Sequence, residues 1–355
     1  MIQPGTYKGA IHIHSDFSDG DCSMEEIIEA AQNAGLDFLI VTDHNELTPK
    51  QFAYQRRYGK LLVICGYELT FRRFAKNHIL VFGVPSHKPY TGKPYFERMK
   101  DIARDGGRLF IAHPWSLFKP WLLQHHLAWS KFPSAHFDGL EIWSYMHDWV
   151  GALKPTKLLR QWRRPDDWLR GPSPRLLQRW DRLNMKRRVA GIGALDNHAR
   201  KVPFSKKVVF PHEQLFRALL THVTVTPEGP DSGEGPHGPD RAEQRSARAI
   251  VDAIASARSY FANNAVADAE GFEFFAQDGE RKALMGERIK FSPELGLHAA
   301  GPVAAEYTVI RSGAPVASFQ SDRFDFRPPG PGVYRIEGRI TGRPWLFSNH
   351  IRIVR

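Results

Sequence analysis

A series of histidine and carboxylate motifs runs through the first two hundred residues of the chain. The sequence has sixteen histidines in 355 residues, so about one H-x-H pair and one Asp-His pair are expected by chance. No single motif therefore carries an argument. As a set, mixed imidazole and carboxylate side chains suit Zn²⁺, Mn²⁺ or Fe²⁺ and predict a divalent metal site. The motifs are His12-Ile13-His14, Ser18-Asp19-Gly20, Asp43-His44, Glu68, His78, His113 and Asp196-Asn197-His198.

Most of these motifs come at the end of a short apolar segment. Catalytic groups of α/β barrels gather where the carboxyl ends of the strands meet, so this placement predicts one cluster. His12 and His14 are two residues apart in a predicted strand, so their side chains are expected on one side. His78 differs, because it lies at the start of its predicted strand. The predicted strands are Ala10–His14, Phe38–Thr42, Leu61–Ile64, Ile79–Phe82, Leu109–Ala112, Leu140–Trp143 and Val189–Ile192.

Helical patterns separate several of these strands. Ser23 with Glu26 three residues later is typical of a capping box, and Gly35 then ends that helix. A helix over 95–104 and another over about 241–262 are also predicted. This alternation favours an α/β fold with a parallel barrel or a doubly wound sheet. From about residue 271 the pattern changes to short β segments with turn signals, which predicts a small antiparallel sandwich.

Charge and composition narrow the class of protein. The net charge is +11, and residues 154–188 hold twelve Lys or Arg against three Asp. Such a segment can attract anions or nucleic acid, or form a solvated helical face. Two cysteines imply no disulfide framework. No apolar run is long enough to cross a bilayer, and no signal peptide pattern is present, so a cytoplasmic protein without a membrane partner is expected.

In order and spacing, the motifs resemble those of the PHP (polymerase and histidinol phosphatase) superfamily of metallohydrolases. The resemblance covers about residues 9–262 and implies a distorted (βα)7 TIM-like barrel with two or three divalent ions, zinc, manganese or iron. Residues 332–335 (GVYR) and 342–349 (GRPWLFSN) are similar to the tail of the CehA/McbA carbaryl-hydrolase-like branch. The expected division is therefore a barrel at 1–265, with a basic Trp- and Arg-rich insertion at about 115–187, and an immunoglobulin-like β-sandwich at 266–355.

Carried over residue by residue, the resemblance implies three groups of ligands. The first metal would be bound by His12, His14 and Asp196. The second would be bound by His78 and His113, with Glu68 bridging the two ions. A third would be bound by Asp19, His44 and His198, which would act as proton carriers if only two ions are present.

A few neighbouring residues depart from the pattern or extend it. Leu195 stands where the family commonly has Ser before the Asp. Glu141 ends a predicted strand and is a candidate to support a ligand, with a salt-bridge role equally open. Asp43 is expected to orient the adjacent His44. Surface or packing roles are expected for the histidines of the insertion, which are His125, His126, His136 and His147.

The leading functional hypothesis is a phosphoesterase in which a hydroxide between two metals attacks phosphorus. The basic segment is compatible with an anionic small-molecule substrate. The alternative is an aryl ester or carbamate hydrolase, as the tail and the aromatic-rich insertion suggest. A module that binds or processes nucleic acid is a third hypothesis from a different class.

Overall fold

The structure is a computed structural model, and it describes residues 3–45, 47–70, 77–85, 87, 90, 93–115, 137–201, 208–227 and 239–355, with the backbone alone for 239–241. His125, His126 and His136 lie outside the described residues, as does most of the loop predicted at 227–239. Within the part of the chain described, no helix combines the length and the apolar character that crossing a bilayer requires.

The chain forms eighteen strands and eight α-helices over the described residues. The strands of the first part are β1 (Gly5–Ile11), β2 (Phe38–His44), β3 (Arg57–Tyr58), β4 (Leu61–Leu69), β5 (Ile79–Phe82), β6 (Arg108–Ile111), β7 (Gly139–Ser144), β8 (Ala190–Ala194), β9 (Leu219–Val225) and β10 (Ser259–Asn263). The helices are α1 (Met24–Asn33), α2 (Pro49–Phe52), α3 (Tyr95–Arg104), α4 (Tyr145–Ala152), α5 (Leu158–Arg163), α6 (Pro174–Lys186), α7 (His212–Leu215) and α8 (Pro239–Ala255).

The second part is all β. Its strands are β11 (Glu273–Asp278), β12 (Arg281–Leu284), β13 (Arg288–Lys290), β14 (Gly296–Arg311), β15 (Ala314–Phe326), β16 (Gly332–Ile340), β17 (Arg343–Ser348) and β18 (Ile351–Val354). The strand pairings of the whole chain form one connected, closed network. The chain is therefore a mixed α/β protein.

The site end of the first part is built by six parallel strands and one antiparallel strand. β1, β2 and β4 pair in parallel, as do β6, β7 and β8. β5 lies between β4 and β6 and runs antiparallel to both. The start of β5 is thus at the same end as the carboxyl ends of its neighbours. This explains why His78 precedes its strand while the other motifs follow theirs.

β8 and β1 are joined by main-chain hydrogen bonds beyond their ends. The N–H of Leu195 donates to the carbonyl of Ile11 at 3.0 Å, and the N–H of His14 donates to the carbonyl of Asn197 at 3.0 Å. These bonds bring the motif after β8 beside the motif after β1, although the two are separated by more than 180 residues.

Three predictions of local structure need correction. The strand predicted over 10–14 ends at Ile11, because His12 has a φ of 68°. The helix predicted over 241–262 ends at Ala255, since Ala257 has a φ of 59° and β10 follows, paired with β9 and β17. The apolar pattern did not distinguish the last turns of a helix from a buried strand. β9 was not predicted, and it runs antiparallel to β1.

The C-terminal strands enclose a hydrophobic cluster of their own. Trp345, Tyr307 and Tyr334 are fully buried in it, and β10 contributes Tyr260 from the barrel side. The last two strands, β17 and β18, are separated by Asn349 and His350. These two side chains return to the first part of the chain: Asn349 accepts from the N–H of Gly191, and His350 contacts Asp181.

We expect Gly66→Ala to destabilise the protein by about 1–3 kcal/mol, because a methyl group there would overpack the contact between β4 and β5. A Cβ on Gly66 would lie 2.3 Å from the carbonyl oxygen of Val81, a backbone atom that cannot rotate away. The matched control is Gly5→Ala in β1, where the nearest atom is Tyr7 Cε2 at 3.9 Å. Urea unfolding measures both; equal stability of the two variants would contradict the packing argument.

Candidate metal centre

The predicted site residues come together at one end of the strands β1, β2 and β4 to β8. His12, His14, Glu68 and His113 are almost completely buried, whereas the Asp19 side chain is 42% exposed. Every one of the nine predicted residues contacts another member of the set. The members are His12, His14, Asp19, His44, Glu68, His78, His113, Asp196 and His198.

Four side-chain atoms surround one point at the centre of this set. His12 Nε2 lies 3.4 Å from Glu68 Oε2 and 3.3 Å from Asp196 Oδ1. His14 Nε2 lies 3.5 Å and 3.3 Å from the same two oxygens. Adjacent ligands of a metal with bonds of about 2.1 Å lie about 3 to 3.4 Å apart. These four distances therefore fit donors that share one cation.

Glu68 reaches a second group through its other oxygen. Glu68 Oε1 lies 2.8 Å from His78 Nδ1 and 3.2 Å from His113 Nε2. Glu68 Oε2 also lies 3.2 Å from His44 Nδ1, so one oxygen of this carboxylate faces three imidazoles and the other faces two. This is the arrangement that a bridging carboxylate between two cations requires.

Asp19 is the centre of a third group nearer the solvent. Its Oδ1 atom lies 3.2 Å from His198 Nε2, 3.6 Å from His44 Nε2 and 3.5 Å from His14 Nδ1. Donor atoms of these four residues all lie within 4.8 Å of one another. His14, which the sequence placed only in the first group, therefore lies between the first and the third.

Several buried nitrogen atoms of the set have no hydrogen-bond partner among the described residues. They are His12 Nε2, His113 Nδ1 and both ring nitrogens of His14. A buried polar atom without a partner costs free energy, about 1–3 kcal/mol each. Cations coordinated by these nitrogens would remove that cost, so the donor set fits divalent metal ions.

Electrostatics also favours a cation at this position. Burial would raise the pKa of Glu68, but His78 and His12 outweigh it and hold the pKa well below its usual range. Asp196 behaves in the same way beside His12 and His14. Burial lowers the pKa of His14 to about 4. The carboxylates are therefore ionised and the His14 imidazole is neutral, as ligands need to be. Burial would lower the pKa of His12, but Asp196 and Glu68 outweigh it and raise that pKa well above its usual value, so the same carboxylates attract positive charge to this position.

Three of the nine residues have backbone angles that are uncommon for residues other than glycine. His12, His113 and Asp196 have φ values of 68°, 26° and 54°. Such conformations cost about 1–3 kcal/mol each and persist where the surrounding structure imposes them. These backbone conformations occur just after β1, β6 and β8, where the three side chains join the cluster.

Glu141 supports two of the histidines from β7. Its Oε2 atom accepts the N–H of His113 at 2.9 Å and lies 3.1 Å from His12 Nδ1. When Nδ1 of His12 donates this bond, Nε2 is left as the lone-pair nitrogen that faces Glu68 and Asp196. The contact between Glu141 and His12 Nδ1 therefore combines the two roles left open for Glu141, a salt bridge and support of a ligand. It orients the ring of His12.

Glu141→Gln is expected to lower metal affinity about 10- to 100-fold, because the amide holds the His12 ring less firmly in the required tautomer. Glu306→Gln changes an exposed Glu of β14 and serves as the matched control. Titration of both variants with Zn²⁺ against a competing chelator measures the effect. Unchanged affinity in Glu141→Gln would contradict the orienting role.

Asp43 has a different role from the one predicted. Its carboxylate accepts hydrogen bonds from the Ser15 N–H at 2.8 Å, the Ser15 hydroxyl at 2.6 Å and the Ser18 hydroxyl at 2.5 Å. Among the described residues, its partners do not include the ring of His44. Asp43 thus braces the loop that carries Asp19, because a buried carboxylate between two strands captures nearby hydroxyls.

Sequence analysis missed two residues of the site. His147 was assigned to the surface or to packing, but its Nε2 atom lies 2.9 Å from Asp196 Oδ2, and its ring stacks on His113 at 4.2 Å. The signal was its position three residues after the end of β7. Arg200 was not considered, and its Nη2 atom lies 3.2 Å from Asp19 Oδ2.

A pocket of about 350 Å³ opens beside this cluster. His113, His147 and Arg170 are among the residues that line it. Much of the remaining lining is apolar and includes Trp115, Ile142, Trp143, Pro172 and Leu176.

The chain resembles known proteins in part. Residues 10–96 match the model of the PHP domain. Over 46 residues the chain is 39% identical to the DNA polymerase/3′-5′ exonuclease PolX of Bacillus subtilis (strain 168), a stretch that covers 13% of this chain and 8% of that protein. The match therefore spans only a small part of that relative.

Three solved structures are similar over larger shares. A two-domain protein of Bacteroides vulgatus containing a predicted PHP-like metal-dependent phosphoesterase is 15% identical, with 98% of this chain and 95% of that one covered and a TM-score of 0.47. A putative metal-dependent phosphoesterase of Bifidobacterium adolescentis is 14% identical (58% and 94%, TM-score 0.32). An amidohydrolase of Chromobacterium violaceum, solved with bound sulfate and no metal, is 15% identical (59% and 96%, TM-score 0.33).

The family match covers part of the cluster. Six of the nine predicted residues lie within the matched range of 10–96, and three, His113, Asp196 and His198, lie outside it. The match to the PHP domain over residues 10–96, together with the imidazole and carboxylate cluster, supports a metal-dependent hydrolase.

Proposed function

We propose that the chain is a phosphoesterase that works with two or three divalent ions, zinc, manganese or iron. One ion would be held by His12, His14 and Asp196, and a second by His78 and His113, with Glu68 between the two. Asp19, His44 and His198 would hold a third, or carry protons if two ions are bound. The observation that carries this proposal is a set of four distances of 3.3–3.5 Å. They join the Nε2 atoms of His12 and His14 to Glu68 Oε2 and Asp196 Oδ1.

The residues of the site would divide the work between binding and proton transfer. Bound divalent ions would supply a water of lowered pKa and polarise a substrate oxygen. The buried carboxylates would hold the ions, and Glu141 would fix the ring of His12 through its contact with Nδ1. The outer group has access to solvent, so His198, with Nε2 3.2 Å from Asp19 Oδ1, can exchange a proton with a leaving oxygen.

Two half-exposed arginines near the cluster, Arg170 paired with Asp148 and Arg200 paired with Asp19, favour an anionic substrate. Arg170 lines the pocket, and Arg200 lies at the outer group beside Asp19. Both guanidinium groups are about half exposed and can move toward a phosphate, which they bind with two hydrogen bonds. A phosphoester of a small molecule therefore fits best, and nucleic acid stays a further hypothesis.

A second candidate is hydrolysis of an aryl ester or carbamate, as in the carbaryl-hydrolase-like branch. The aromatic and apolar walls of the 350 Å³ pocket favour it, because they suit a flat neutral group beside the cluster. Such a substrate would have no need of the arginines.

The deciding experiment compares initial rates on an aryl phosphate and on the aryl carbamate of the same phenol, with Mn²⁺- and Zn²⁺-loaded protein. A phosphate preference that weakens with added salt supports the phosphoesterase. A carbamate preference overturns it in favour of the second candidate. Turnover of neither substrate, together with a gel shift on an oligonucleotide, would favour the nucleic-acid module.

We also propose the division of the chain at about residue 265, with a barrel before it and an immunoglobulin-like sandwich after it. The separate hydrophobic cluster that begins at Tyr260 supports this boundary. The basic insertion expected at about 115–187 contains the strand predicted at 140–143. That strand is β7, which pairs with β6 and β8, so the insertion is interrupted by a strand of the main sheet.

A further inference from the structure

Residues 154–164 form a protruding surface, which we call the 154–164 surface. Ten of its eleven residues are exposed, and Gln161 alone among them is fully buried. The Gln161 amide accepts the N–H of Lys154 at 2.7 Å and donates to the carbonyl of Ala152 at 2.9 Å. One buried side chain thus anchors the segment while the rest of it faces the solvent.

Three large apolar side chains are exposed on this surface. Leu158, Leu159 and Trp162 are 45%, 59% and 43% exposed. Residue 162 follows the other two by four and three positions on α5, so the three share one helix face. Neighbouring exposed apolar side chains mark an interaction site more often than isolated ones do.

The same segment carries five cations and no acidic residue. The cations are Lys154, Lys157, Arg160, Arg163 and Arg164. Four of them, all except Lys154, line a groove of about 600 Å³ together with Thr156 and Leu159. The described residues provide no ion-pair partner for any of the five. The groove is therefore positively charged and open to an anionic partner.

We propose that the 154–164 surface binds the surface of an anionic lipid bilayer. The groove would receive phosphate-bearing headgroups, while Leu158, Leu159 and Trp162 enter the interface between headgroups and acyl chains. The protein would then bind the membrane peripherally. This differs from the expectation of no membrane partner, which was drawn from the sequence.

The apolar residues favour a bilayer over a nucleic acid. A phosphate backbone would satisfy the cations, and a base could stack on Trp162. Neither would cover the two adjacent leucines, which would stay in water. A bilayer interface satisfies both kinds of side chain, because it presents anionic headgroups directly above hydrocarbon.

The test is co-sedimentation of the full chain with vesicles of phosphatidylcholine alone and of equal parts phosphatidylcholine and phosphatidylserine. We expect binding to the anionic vesicles only. Arg160→Gln/Arg163→Gln should weaken it on the order of twentyfold, since each cation near an anionic surface contributes about fivefold. Leu159→Ser/Trp162→Ser should weaken it at least about tenfold.

Matched variants on the C-terminal strands control for charge and for apolar exposure. Lys290→Gln/Arg323→Gln removes two exposed cations, and Val303→Ser/Val316→Ser removes two side chains that are each 38% exposed. Both should bind as the wild type does. The proposal is overturned if phosphatidylserine has no effect, if the control variants lose binding equally, or if a single-stranded oligonucleotide binds at this surface and vesicles do not.

Discussion

Asp196→Asn is expected to lose most of the bound metal and to lower kcat/KM by at least about a thousandfold. The substitution keeps the shape of the side chain and removes its charge, where Oδ1 lies 3.3 Å from the Nε2 atoms of His12 and His14. His14→Ala should have the same two effects. Metal content of the purified variants, together with initial rates on the preferred substrate, measures the result.

The controls for this experiment lie on the C-terminal strands. His298 and Asp325 form an imidazole–carboxylate pair at 2.6 Å on the neighbouring strands β14 and β15, away from the cluster. Asp325→Asn and His298→Ala therefore make the same chemical changes without touching the site. If Asp196→Asn keeps both its metal and its turnover, the ligand assignment is wrong; if only turnover is lost, Asp196 acts in catalysis and not in binding.

Asp181→Ala is expected to destabilise the protein by about 3–5 kcal/mol. Asp181 on α6 accepts two hydrogen bonds from Arg335 of β16, at 2.7 and 3.0 Å, and lies 2.7 Å from His350 Nε2. All three side chains are buried. Without the carboxylate, the guanidinium of Arg335 keeps only Glu337, at 2.7 Å, to balance its buried charge.

Urea unfolding near pH 7 measures this loss, and Asp322→Ala is the matched control. Asp322 pairs with Arg323 at 3.9 Å, with both side chains more than half exposed, so its removal should change stability by less than about 1 kcal/mol. If both variants lose the same free energy of unfolding, the buried contact between α6 and β16 contributes no more to stability than the exposed pair does.

The same contact predicts a dependence on pH. Burial alone would raise the pKa of Asp181, but the hydrogen bonds from His350 and Arg335 lower it to about 2, from an ordinary value of 3.8. A lowered folded-state pKa stabilises the protein above the unfolded value and ceases to do so as the pH falls through the folded value. The difference between wild type and Asp181→Ala should therefore be full above about pH 4 and shrink toward about pH 2.

Most of the nine candidate ligands could be found from the sequence because they lie at or near the end of an apolar segment; Asp19, in the loop after β1, is an exception. Periodicity locates such segments, and parallel strands bring their carboxyl ends together whatever the side chains are. His78 was harder to explain, since only the direction of β5 accounts for a ligand at the start of a strand. That direction depends on the pairing of β5 with β4 and β6, which leaves no mark in the residues of β5.

The misassigned residues share a physical cause. Asp43 was interpreted from its neighbour His44 and His147 from its position in the insertion, but their partners come from elsewhere in the chain. Asp43 bonds to serines 25 and 28 positions away, and His147 contacts Asp196 at a separation of 49. Side-chain contacts at such distances depend on the packing of whole strands.

The sequence by itself determined the chemistry: which ligand types are available, in which order, and that strand ends present them. Only the tertiary structure decided their geometry. It set the left-handed backbone at His12, His113 and Asp196, the separate directions of the two Glu68 oxygens, and the bond from Glu141 to His12. These features arise because strand ends from distant parts of the chain meet at the site. There, long-range packing overrides the local preferences of each residue.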